Sequence, residues 1–233
     1  MSADYAMTLE ANDLSRLLQL ASPMLPVGAY AYSQGLEWAI ETEVVHDAKT
    51  VASWIGDAIE LYLARFELPV LLRMRRAWDG RDVDALKYWN MFYCAGRDTM
   101  ESRVETLQMG YSLVRLLEDL DLDTAAVMLL ERFVPVSFPL AYACATSVWH
   151  IPEQSSLHAF LWSWGENQVS AAMKAVPLGQ TAGQRALLEI SLKIPAAVKI
   201  AVALGDDELS NFAPGLSVAG CRHETQYSRL FRS

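Results

Sequence analysis

Apolar positions recur along this chain with a helical period. Between Asp47 and Phe66 they fall at Val51, Trp54, Ile55, Ala58 and Tyr62, one face of an amphipathic helix, with Asp47 or Thr50 available to cap its first turn. From Glu101 to Asp119 two stripes run side by side, Val104, Leu107, Tyr111, Val114 and Met109, Leu113, Leu116, which predicts a helix covered on much of its circumference. The same pattern predicts helices over 11–21, 34–44, 68–78, 81–95, 123–132, 140–150, 153–175, 180–193 and 196–204. Their ends coincide with Gly80, Pro139, Pro152, Pro177, Gly179 and Pro195. No short run alternates apolar and polar residues between turn signals, as a half-buried strand would. The expected fold is therefore all-α, a single-domain bundle of roughly ten short to medium helices.

The pattern fades after the last predicted helix. Leu204 to Gly220, "LGDDELSNFAPGLSVAG", is rich in acids, prolines and glycines and reads as a loop. This divides the chain into a helical domain, 1–204, and a loop with a flexible C-terminal tail, 205–233. The closing "RHETQYSRLFRS" is unusual for a terminal segment, because Tyr227, Leu230 and Phe231 would share one face at helical spacing, with Arg222, Arg229 and Arg232 among them.

At 233 residues and 52% hydrophobic, the chain can bury a large core. A net charge of −9 argues against nucleic acid as a partner, since phosphate contacts need clustered Lys and Arg. The tail breaks the trend: with Arg222, Arg229 and Arg232 against Glu224, residues 213–233 carry +2 and the remainder −11. A basic tail on an acidic body can fold back or reach an acidic partner. Cys94, Cys144 and Cys221 are odd in number and widely spaced, as in a reducing compartment, and "MSADYAMTLEAND" has acids where a signal peptide has cations. A cytoplasmic location is expected. Leu17 to Leu36 and Phe133 to Pro152 each lack charge over twenty residues, but Pro23, Pro26 and Gly28 interrupt the first and Pro135, Pro139 and Pro152 the second. Buried helices, not membrane spans, are expected.

Catalytic chemistry finds little support. "AYSQG", Ala31 to Gly35, approaches a nucleophile elbow around Ser33, yet proline and glycine stand where the elbow needs a strand. Ser33 reads better as the N-cap of the helix beginning "QGLEW". His46, His150, His158 and His223 never pair on a helix face, and neither CxxC nor HExxH occurs. Cys221 and His223 are weak metal candidates, two soft ligands where a closed site uses about four. No phosphate-binding loop is present; "PLGQTAGQ" lacks the lysine and hydroxyl. What stands out is polar residues within apolar stretches: Glu37, the cluster Arg97, Glu101 and Arg103, and Lys174. These are either snorkelling charges or a recognition surface.

Four segments tie these residues together: "LLQLASPMLPVGAYAYSQGLEWAIE", "CAGRDTMESRVETLQMG", "MKAVPLGQ" and "RHETQYSRLFRS". In this order they resemble the UreF family of urease accessory proteins across nearly the whole chain. The resemblance implies an all-α homodimer that is not itself an enzyme and binds no cofactor alone. It implies partners, UreD (also called UreH), the GTPase UreG and apo-urease, and a complex that handles nickel for the urease site, with the family's subunit as scaffold and regulator of GTP hydrolysis. Carried over, Arg222, His223, Glu224, Tyr227, Arg229, Leu230, Phe231 and Arg232 dock UreD. Glu37, Lys174, Pro177 and Gln180 face UreG. Ala29 departs from a common second glycine after "PVG", which would restrict positive φ there, and Ala175 replaces a common Leu. Two alternatives stay open: a strict GTPase-activating role through an arginine such as Arg97 or Arg103, and a direct nickel chaperone using Cys221 and His223.

Overall fold

The computed structural model describes residues 11–233. The acidic start of the chain, and with it the signal-peptide reading, lies in part outside the described residues.

Twelve α-helices are present among the described residues: α1 (Ala11–Ala21), α2 (Leu36–Glu41), α3 (Ala48–Ala58), α4 (Leu68–Asp79), α5 (Val83–Ala95), α6 (Met100–Asp119), α7 (Thr124–Leu130), α8 (Phe138–Val148), α9 (Glu153–Ala175), α10 (Gln180–Ser191), α11 (Ile194–Ala203) and α12 (Pro214–His223). No strand occurs among those residues, and no helix is long and apolar enough to cross a membrane.

The helix starts follow local chemistry. Asp47 accepts from Thr50 N–H at 2.8 Å while the Thr50 hydroxyl accepts from Asp47 N–H at 3.0 Å, so both residues available for that cap are used, in a reciprocal box. Thr99 and Ser102 repeat the arrangement at α6, and Asp82, Asp123 and Ser137 cap α5, α7 and α8.

At the core is α8. Its sequence "FPLAYACATSV" carries no charge, Pro139 through Thr146 are all buried, and it packs against α4 and α6. The long α9 lies against α1, α2, α3, α4, α10 and α11. The two helices predicted over 47–66 and 68–78 are in fact one continuous rod from Ala48 to Asp79, whose middle, Ile59–Glu67, is wound as a π-helix. The widened winding stops just ahead of Pro69, whose ring in a regular α-helix would press on the carbonyl one turn back.

Two readings of the C-terminal region need correction. Within the predicted loop 204–220, only the first part is irregular; Pro214 opens α12, where a missing N–H costs nothing and the fixed φ suits the first turn. Nor do Tyr227, Leu230 and Phe231 share a helix face, because the helix ends at His223. The chain beyond it crosses the body in turns and bends, with Phe231 buried and Tyr227 and Leu230 exposed. The connecting residues are tied down as well: Arg73 pairs with Asp206 at 2.6 Å, Ser210 N–H donates to the Arg65 carbonyl at 3.1 Å, and Asp98 accepts from Asn211 at 3.2 Å and Ser217 at 2.5 Å.

Candidate partner-docking site

The final residues sit in a seat made by the α1–α2 connection, α2, α6 and α12. Two glycines shape it. Gly28 has φ 81°, so the positive φ of the "PVGAY" turn falls there; Ala29 begins a 3-10 turn, and the family's second glycine is not missed. Gly35 has φ 82°, and a Cβ on it would lie 2.8 Å from the backbone nitrogen of Gly220, so α2 and α12 meet backbone to backbone.

Glu37, in the first turn of α2, is 9% exposed and is the centre of the seat. Its carboxylate accepts from Leu230 N–H at 2.5 Å and Phe231 N–H at 3.0 Å, and it meets His223 Nε2 at 3.1 Å. Glu101, in the first turn of α6, meets His223 Nδ1 at 2.7 Å and accepts from Arg229 Nη1 at 2.5 Å. Glu224 accepts from Glu101 N–H at 3.1 Å. At the tip, the Ser233 carbonyl accepts from Ser33 N–H at 2.6 Å, Gln34 N–H at 2.9 Å and Ser33 Oγ at 2.5 Å, while Arg232 N–H donates to the Ala31 carbonyl at 2.8 Å. Nine-tenths or more of Phe231 is buried, and the Lys174 ammonium stands 5.7 Å from its ring centre and 5.8 Å from that of Tyr30.

Below the tip lies a second polar layer. Gln34 joins three elements: its Nε2 donates to Glu105 at 2.6 Å, its Oε1 accepts from Trp164 Nε1 at 2.8 Å, and its main-chain N–H holds Ser233. The Ser233 hydroxyl donates to the other Glu105 oxygen at 3.1 Å. Deeper still, Arg97 and Glu67 form a buried ion pair flanked by the Tyr62 hydroxyl at 2.9 Å and the Tyr93 hydroxyl at 3.2 Å from the guanidinium. Burial raises both tyrosines and pushes Glu105 up to about 7.

This geometry sorts the candidates. Glu37 is buried, and its carboxylate is engaged by the tail. Lys174 is exposed beside the tail, Pro177 is exposed in the turn that follows α9, and Gln180 is exposed at the start of α10. Of the tail residues, His223 and Phe231 face inward, Glu224 is half-buried, and Arg222, Tyr227, Arg229, Leu230 and Arg232 remain exposed. The N-cap residue of α2 is Gly35 and not Ser33, although the Ser33 hydroxyl accepts from the first-turn Glu37 N–H at 3.4 Å while it donates to Ser233 at 2.5 Å. Of the two weak metal candidates, Cys221 is exposed, while the buried His223 ring has both nitrogens in contact with carboxylates. No group of three or more His, Cys, Asp and Glu suited to a metal exists among the described residues. Arg97 is locked to Glu67, and Arg103 donates to the Cys94 carbonyl at 3.2 Å.

Sequence reasoning missed Glu105 and Gln34. Glu105 lies one helical turn after Glu101, so their shared face was readable, but nothing local marks it as buried.

Comparison with known proteins bears on the family of the chain. The UreF family model matches residues 45–191, more than half of the sequence, although Glu37 and residues 222–233 lie outside that span. The Urease accessory protein UreF of Methylobacillus flagellatus is 58% identical over 225 residues, 96% of this chain and 99% of the relative. Those of an Azoarcus species and of Dechloromonas aromatica are 53% and 48% identical, covering 94% of this chain and 95% and 97% of theirs. On the match across most of its length, the chain belongs to the UreF family of urease accessory proteins.

Proposed function

We propose that this protein is a urease maturation factor that acts by docking partners and not by catalysis. In this reading it is a cytoplasmic homodimer that joins UreD and the GTPase UreG in the complex delivering nickel to apo-urease, and it regulates GTP hydrolysis there. Nickel is the complex's cargo and is not held by this chain alone.

The observation that carries the reading is the seated tail. Its buried residues, His223 and Phe231, anchor it, while Arg229, Leu230, Tyr227 and Arg232 stay exposed on a rigid base. An exposed set of one aromatic, one aliphatic and two arginines has the composition of an interface hot spot, and a segment held in place before binding gives up less conformational entropy on docking. Lys174, over the Phe231 ring, sets the charged residue assigned to the GTPase side directly against the tail assigned to UreD. One contiguous surface then serves both partners.

The test is co-expression with tagged UreD of the full chain and of a version ending at Gln226, which keeps α12 whole. Retention of the full chain alone supports the tail as the docking element. Equal retention of both sinks it.

A further inference from the structure

Three carboxylates lie beneath the tail. Glu37 and Glu101 share His223, and Glu101 also takes Arg229. Glu105 has no cation in contact among the described residues. It is 5% exposed, and its hydrogen bonds come from the Gln34 amide and the Ser233 hydroxyl; the guanidinium below it, Arg97, is already paired with Glu67. It also lines a cavity of about 60 Å³, shared with Gln34, Gln168 and Trp164.

We propose that seating of the tail is coupled to protonation of Glu105, so that the seated tail encloses the neutral carboxyl and rising pH loosens it. The neutral group keeps both contacts: its C=O accepts from Gln34 and its O–H donates to Ser233 Oγ. The ionised group keeps them too, but its charge is then shut away from water without a cation of its own. Lifting the tail tip removes Ser233 and opens the carboxyl to solvent.

The sign follows from burial, which holds Glu105 at about 7 in the seated state against an ordinary value of 4.5. The seated form therefore binds the proton more tightly. Seating is strongest below the ordinary value, weakens as pH rises towards about 7, and is at its weakest above it. A displacement of this size weakens seating on the order of a hundredfold across the window.

Other titratable groups surround the site. Tyr32 from the α1–α2 connection, Tyr62 and Glu67 from the π-helical stretch, Tyr93 from α5, Arg97 ahead of α6, Arg232 from the tail and Glu166 from α9 all face this region. The three tyrosines are all raised, so they stay neutral in the window. His223 stands above them, between Glu37 and Glu101.

The test uses the full chain alone, so its failure leaves the partner assignment untouched. Fluorophenylalanine is incorporated, the Phe231 resonance is assigned with Phe231→Leu, and its seated and exposed populations are followed from about pH 5 to about pH 8.5. The exposed fraction should rise on the order of a hundredfold in the wild type and by less than about threefold in Glu105→Gln, whose amide keeps both contacts without a charge. A flat wild-type profile, or a Glu105→Gln profile that tracks the wild type, overturns the proposal. Should Glu105→Gln fail to fold, carboxyl-carbon titration of Glu105 in the wild type decides: a midpoint near neutrality supports the coupling, and one in the ordinary carboxylate range removes it.

Discussion

The Glu37 carboxylate and the Phe231 main-chain N–H are separated by 194 positions and meet at 3.0 Å. With Leu230 N–H and His223 Nε2 on the same carboxylate, one side chain satisfies two main-chain donors and a ring nitrogen. Replacing Glu37 by Ala leaves those groups facing an apolar gap, and each stranded donor costs about 1–3 kcal/mol. The loss is local, because a terminal segment opens to water without unfolding the bundle. Trypsin should cut after Arg229 at least about tenfold faster in Glu37→Ala, with the melting temperature of the helical body little changed. Unchanged cleavage would show that Glu101 and the Ser233 contacts hold the tail alone.

Much of the bundle was legible because its signals are local. Asp47 and Thr50, Pro139 and Pro152 act within a turn of where they stand, and α1 and α9 begin and end where periodicity places them. The tail was not legible, because the groups that fix it come from the other end of the chain. Ser33 and Ser233 are 200 positions apart, and no pattern around either points to the other. Pro214 and Gly215 read as turn residues, yet a proline also opens helices, and only the packing of α12 on α2 decides between the two. Glu37 stood out by its apolar flanks; whether it faced a partner or its own tail could not be read from them.

The close approach of α2 and α12 sets a second expectation. Gly35→Ala must hold an L-residue at φ 82° and push its Cβ against Gly220. The backbone cost alone is about 1–2 kcal/mol, and overpacking adds about 1–3 kcal/mol. Denaturant unfolding should show a loss in that combined range, while Gly28→Ala, where a Cβ meets nothing within 4 Å, shows only the backbone part. Equal losses at both positions would mean that the helix contact is not tight.

Arg97 and Glu67 test the interior. Their side chains are 5% and 4% exposed, so Arg97→Met strands a carboxylate in the core and should cost about 3–5 kcal/mol in denaturant unfolding. The double variant Arg97→Met with Glu67→Leu removes both charges and should recover most of that loss, since a well-packed apolar pair replaces a buried ion pair at little or no cost. Additive losses in the double variant would show that the two residues act separately, through Tyr62 and Tyr93, and not as a pair.

Lys174 separates folding from docking. It is exposed in the last turn of α9, and its contacts are the faces of Tyr30 and Phe231, so Lys174→Ala should change stability by less than about 1 kcal/mol. If the proposed GTPase contact is made here, co-purification of UreG with the UreD complex should fall sharply in Lys174→Ala and further in Lys174→Glu. Lys174→Arg, which keeps a cation able to stack on both rings, should retain most of it. UreD retention should be unaffected in all three, because the exposed tail residues are left in place. Loss of UreD together with UreG would instead mean that the ammonium holds Phe231 in its seat, which increased proteolysis after Arg229 in the same variants would reveal.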